Sequence, residues 1–191
     1  LVEEEDNNFK IFLSLIVILI VSVILYYKPI TSNLPLGLDA LSHVSKASYI
    51  QQYGLVSWDM SWYSGTPFLK FYPPLFYILL TFFNNLVSGA LILCFLSIFL
   101  CSVGIFFLVR YYTQDFSISL IASLFFLSII NVSYYFISVG NYPFIFSLWA
   151  IPFTILFLEK TIFNKHYFPL YCLFFVIGFL SVCKEYGQKQ H

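Results

Sequence analysis

The chain has 191 residues, of which 60% are hydrophobic, 22% aromatic and only 9% charged, with no formal net charge at neutral pH; its mean hydropathy is +0.87. Soluble domains carry roughly 25% charged residues, so this composition excludes an ordinary soluble domain and specifies an integral membrane protein. The balanced charge offers no basic surface for nucleic acid, and Cys94, Cys101, Cys172 and Cys183 sit in apolar runs without metal-ligand spacing.

An acidic cluster, Glu3 to Asp6, precedes Lys10 and an apolar run over 11–27 that only Ser14 and Ser22 interrupt. Tyr26, Tyr27 and Lys28 close it, as aromatic and basic anchors close a span at the membrane interface. The acidic flank and the lack of a small-residue cleavage site make this a retained span rather than a signal peptide. Leu1 in place of an initiator Met and the ending KEYGQKQH read as the ends of a fragment.

Residues 30–85 form the one long segment that is neither a span nor a short connector, and it reads as an external loop. Pro35 and Gly37 lead into a helical pattern over 38–53 that Gly54 terminates, a juxtamembrane helix. Asp39, His43 and Lys46 stand at i, i+4 and i+7, which puts all three on one face. Trp58, Trp62 and Tyr63 suit a headgroup-level belt, and Ser64-Gly65-Thr66-Pro67 is a turn. Pro73-Pro74 opens an apolar run over 75–83. Spanning takes about twenty residues, so this run reads as a short re-entrant or interfacial helix, with a tilted span reaching Val87 as the alternative.

Further spans follow over 87–109, ended by Arg110, and over 118–134. A polar loop at 138–143 leads into a span over 144–158 that contains Pro152, and a compact basic loop at 159–166 leads into the last, over 167–183. The predicted architecture is an all-α polytopic membrane protein: a single membrane domain over 1–191 with about five transmembrane helices, the juxtamembrane helix and the short re-entrant or interfacial helix. With five crossings, the positive-inside rule puts the N-terminus, Arg110, Lys160 and Lys165 on the cytoplasmic side. The Asp39 loop and Gly140-Asn141 then share the opposite side of the cell membrane.

Four short patterns follow the first span in order: Asp39-x-x-x-His43, Gly54-x-x-Ser57-Trp58, Trp62-Tyr63-x-Gly65-x-Pro67 and Phe71-Tyr72-Pro73-Pro74-Leu75. Together they resemble the first external loop of GT-C type polytopic membrane glycosyltransferases. The likeness is in particular to the N-terminal portion of the membrane proteins filed as "6-pyruvoyl-tetrahydropterin synthase-related", a label that does not denote pterin chemistry. Gly140-Asn141-Tyr142-Pro143 resembles that family's second external loop, with Val139 where an Arg usually stands. The resemblance runs over roughly 11–158.

It implies transfer of a sugar from a polyprenyl-phosphate-linked donor to an unidentified acceptor on the non-cytoplasmic face, with membrane lipid as the other partner. Such a reaction needs one base near the membrane surface. The phosphate leaves as a stable anion, so the second, protonated carboxylate of glycosidases is unnecessary. Asp39 is the candidate base. His43 is a candidate to hold a divalent metal with Asp39 or to bind the carrier phosphate, and Lys46 and Lys70 to neutralise it. Trp58 and Trp62 are candidates to stack on the sugar, and Tyr72 and Asn141 complete the substrate-binding set.

Plainer roles stand beside these. An Asp ahead of an apolar helix is also favoured there by the helix dipole, an interfacial His is commonly solvated, and interfacial lysines snorkel. Tryptophans form belts without touching substrate. Two other functions stay open: a non-catalytic scaffold or assembly subunit with the same fold, and a transporter. The transporter is disfavoured because the predicted spans carry no ionisable side chain. Asn131-Val132-Ser133 matches a glycosylation sequon but falls in or near a span.

Overall fold

Backbone N–H and C=O groups in hydrocarbon have no water to bond, so a chain this apolar is committed to helices. The protein's structure, a computed structural model, describes residues 2–55, 58–59, 66–67, 74–129 and 134–182 and is helical almost throughout. In chain order the α-helices are α1 (Val2–Thr31), α2 (Ala40–Tyr53), α3 (Pro74–Leu80), α4 (Leu86–Thr113), α5 (Phe116–Leu127), α6 (Tyr142–Ser147), α7 (Ala150–Phe163) and α8 (Phe168–Val182). A π-helical turn, Tyr134–Val139, precedes α6, and a 3-10 turn, Lys165–Tyr167, joins α7 to α8. Two short strands, Trp58–Asp59 and Thr66–Pro67, pair antiparallel with Trp58 opposite Pro67. The sequon at Asn131 lies outside the described residues.

Among the described residues three helical stretches are long and apolar enough to cross a membrane: Asn7–Thr31, Leu86–Thr113 and Tyr142–Phe163. At 1.5 Å per residue, the 12 residues of α5 and the 15 of α8 reach about 18 and 22 Å, short of a hydrocarbon core about 30 Å thick. The seven residues of α3 reach about 10 Å. The boundaries differ from those expected in several places, beginning with α1, which extends past both ends of the expected 11–27, and α3, which ends at Leu80 rather than at 83. The stretch expected over 118–134 is helical only to Leu127, where the Ser128 N–H caps the helix on the Leu124 carbonyl. The stretch expected over 144–158 extends at both ends, to Tyr142 and Phe163, so the first half of the expected basic loop is helix. The juxtamembrane helix starts at Ala40, with Asp39 as its N-cap.

Local chemistry sets several of these ends. The Asn85 side chain accepts from the N–H groups of Val87 and Ser88 and starts α4, and the Asp115 carboxylate accepts from the Ile118 N–H and starts α5. Several serines inside the apolar helices turn back on their own backbones. Ser22 donates to the Ile18 carbonyl at 2.7 Å and Ser97 to the Leu93 carbonyl at 2.8 Å, so none needs water. The packing surfaces are small. Ser102 donates across to the Ser123 carbonyl, joining α4 to α5, and Gly104 lies under Pro152, joining α4 to α7. Large apolar side chains such as Phe12, Ile24, Ile121 and Phe125 point outward, as lipid-facing residues do and as a water-soluble surface does not.

The bundle has two distinct ends. At one, Arg110 on the last turn of α4 reaches the Asn7 side chain on α1 and lies 3.8 Å over the Phe116 ring at the start of α5. At the other, Asn33 just past α1 meets the hydroxyl of Ser88 in the first turn of α4 at 2.6 Å, and the Tyr26 hydroxyl reaches the last carbonyl of α5, Leu127. Here the segment before α2 and the turn before α6 close on each other through two glycines. A methyl group on Gly37 would fall 2.6 Å from the Gly140 Cα, and one on Gly140 would fall 2.6 Å from the Leu36 carbonyl oxygen. Both have positive φ, +93° and +72°, a region that costs other residues about 1–3 kcal/mol.

Gly54, the C-cap of α2, also has positive φ (+81°) but faces open space. Gly54→Ala should therefore cost strain alone, about 1–3 kcal/mol. Gly140→Ala adds overlap with backbone atoms and should lower the thermal unfolding midpoint in detergent clearly further. Equal losses would contradict the close approach of the two segments.

Candidate functional site

The polar end is built around the start of α2. The N–H groups of Leu38 and Asp39 donate to the carbonyls of Ser138 and Val139 at 3.3 and 2.9 Å. The Tyr142 hydroxyl accepts from the Leu36 N–H at 2.8 Å and donates to the Leu36 carbonyl at 3.0 Å. Two stretches a hundred residues apart are thereby tied by four hydrogen bonds, and the buried polar groups of each are satisfied by the other. Tyr142 is fully buried. Its ring lies 6.1–6.4 Å from those of Phe136, His43 and Phe76, so the hydroxyl acts from a fixed aromatic platform.

The expected common face of Asp39, His43 and Lys46 divides. Asp39 is exposed, whereas His43 and Lys46 are buried, at 4% and 7% exposure, with His43 against the aromatic rings of Tyr77 and Tyr142. The cause is that Asp39 is the N-cap, ahead of the first helical turn, while His43 and Lys46 lie on the stripe with Ala40, Ala47 and Ile50 that packs inward. The Asp39 carboxylate makes no capping hydrogen bond to α2, which leaves its oxygens available at the surface.

His43 Nδ1 lies 2.7 Å from the Tyr77 hydroxyl on α3; in the tautomer protonated at Nε2, Tyr77 donates to it. Burial first, and the Lys46 charge second, depress the imidazole from its ordinary 6.5 to about 4, so the ring is neutral at pH 7. The Lys46 ammonium donates to the carbonyl and hydroxyl of Ser42, one turn back. His43 and Lys46 thus support the inner wall of the site, and Asp39 its surface.

Asn141 is half-buried between Gly140 and α6, where its carbonyl accepts from the Ile145 N–H. Trp62, Lys70 and Tyr72 lie outside the described residues, and Trp58 is described by its backbone register alone. Among the described residues no three His, Cys, Asp or Glu side chains converge. Asp39 and His43 supply two donors at most, and His43 Nδ1 already faces Tyr77, so the described residues do not make a fitting set for a divalent ion.

Tyr77 and Tyr142 are the site residues that sequence reasoning missed. Both stood in stretches singled out for their prolines and glycines, and an aromatic residue in so aromatic a chain carries no signal of its own. No protein-family model, curated protein or solved structure matches the chain.

Because the unfolded chain takes up the His43 proton first, at its ordinary 6.5, the stability that neutral His43 contributes is full above that pH. It is lost as the pH falls toward 4, by about 3 kcal/mol. His43→Gln removes the titration. Between pH 7 and pH 4 the wild-type chain should lose about that much more unfolding free energy in detergent than the variant; parallel pH profiles would contradict a buried, neutral His43.

Proposed function

We propose that this protein is a GT-C-like membrane glycosyltransferase of about five spans, which moves a sugar from a polyprenyl-phosphate-linked donor to an acceptor at the non-cytoplasmic face. The observation that carries this reading is the placement of Asp39. Its carboxylate is exposed, unspent on capping, and held at the membrane end of the bundle by backbone bonds to the turn before α6. In the reaction the acceptor hydroxyl oxygen attacks the anomeric carbon. The bond from that carbon to the phosphate oxygen breaks, the polyprenyl phosphate departs with the electron pair, and Asp39 takes the hydroxyl proton. Asn141 borders the same surface. Lys46 and His43 act from beneath it, by positive charge and by fixing α2 against α3. Lys70, Trp58, Trp62 and Tyr72 belong to the donor side of this reading through the resemblance alone.

One observation favours a second reading, a non-catalytic scaffold or assembly subunit. Lys46 and His43, the two candidates within α2, face inward and hydrogen-bond Ser42 and Tyr77, as residues kept for architecture would.

Asp39→Asn separates the two. In membranes supplied with polyprenyl-phosphate sugars, the variant should insert normally and lose transfer by about 10²–10⁴-fold, the usual contribution of a positioned base. Full transfer by the variant would remove Asp39 from the mechanism.

A further inference from the structure

Helix α2 buries its one charge and exposes its one leucine, unlike a helix on a water-soluble surface. Its one formal charge, Lys46, and its His43 point inward, while Leu41, 66% exposed, and Tyr53, whose ring lies 4.6 Å from that of Tyr49, face outward, and Leu38, two residues before the helix, is 90% exposed. Ser45, Gln51 and Gln52 are also exposed on α2, so its outer side is mixed and, beyond the N-cap Asp39, carries no charge. A helix in water hides its leucines and shows its lysine; the opposite arrangement suits an apolar surround.

The level of the segment agrees with this. Asn33 bonds Ser88 in the first turn of α4, and Leu36 bonds Tyr142 at the start of α6. Ser88 and Tyr142 each open a stretch long and apolar enough to span. The chain around Asp39 therefore lies at the depth where those stretches enter the membrane, not above it. Ile24 and Tyr27 on the last turns of α1, and Leu34 after it, are exposed as well.

We propose that Leu38, ahead of α2, and the outer side of α2 from Leu41 to Tyr53 form a lipid-contact surface seated in the boundary between headgroups and acyl chains, which holds the Asp39 carboxylate at headgroup depth. Interfacial helices bury their apolar side by about 5–10 Å. The seating rests on exposure, depth and charge placement, and stands whether or not Asp39 is a base.

The test is collision accessibility of a nitroxide. Single cysteines from Leu38→Cys and Leu41→Cys are spin-labelled in a chain whose four native cysteines are replaced, reconstituted into phosphatidylcholine vesicles. Ile24→Cys on α1 is the lipid reference and also reports correct insertion; Gln114→Cys, in the turn between α4 and α5, is the aqueous reference. The labels at 38 and 41 should collide with oxygen far more than with nickel-EDDA, close to the Ile24 ratio. A ratio near that of Gln114 would place the surface in water, and low collision with both reagents would show it covered by protein; either result overturns the proposal.

Discussion

Everything at the polar end depends on a clasp between two backbones. The Tyr142 hydroxyl takes both hydrogen-bonding groups of Leu36, the amides of Leu38 and Asp39 bond Ser138 and Val139, and Gly37 and Gly140 allow the contact because neither carries a Cβ. In a medium of low polarity each unpaired backbone group costs several kcal/mol, so two irregular segments at the head of the bundle are stable only if they satisfy each other. The position of Asp39 follows from this. It starts α2 because α2 starts where the clasp ends.

The rest of the bundle fixes where the clasp can form. Small residues let the helices approach, as Ser102 and Ser123 do between α4 and α5 and Gly104 beneath Pro152, and close approach with satisfied polar groups is what holds helices together in lipid. The aromatic cluster of His43, Phe76, Tyr77, Phe136 and Tyr142 then fills the space under the clasp. A neutral His43 is part of that filling, and a protonated one would place a second positive charge beside Lys46 in a dry site.

The apolar runs and their anchors were legible because hydropathy is additive along a chain: the long helices around Leu15, Ile98 and Phe153 follow from composition alone. Gly54 was legible as the end of α2 because few residues besides glycine take that conformation. The division of Asp39 from His43 and Lys46 was not, since helical periodicity assigns a common face to residues four and three apart but does not say that the first of them is the cap. Nor was the clasp. Gly37 and Gly140 each read locally as turn residues, and only their contact across a hundred positions shows why both lack a side chain. The length of α5 escaped for the opposite reason, because its apolar run continues past the point where the Ser128 N–H closes the helix.

The clasp is tested most directly by trapping it. Cysteines introduced at Leu38 and Ser138, whose backbones share a hydrogen bond, lie within the reach of a disulfide or a short bis-maleimide in a chain lacking its native cysteines. Mild oxidation of the membrane-inserted protein should give the intramolecular 38–138 link in high yield, identified by mass spectrometry of the joined peptides. Absence of that link under conditions where cysteines at Asn33 and Ser88 join readily would show that the two segments do not meet, and the placement of Asp39 would fall with them.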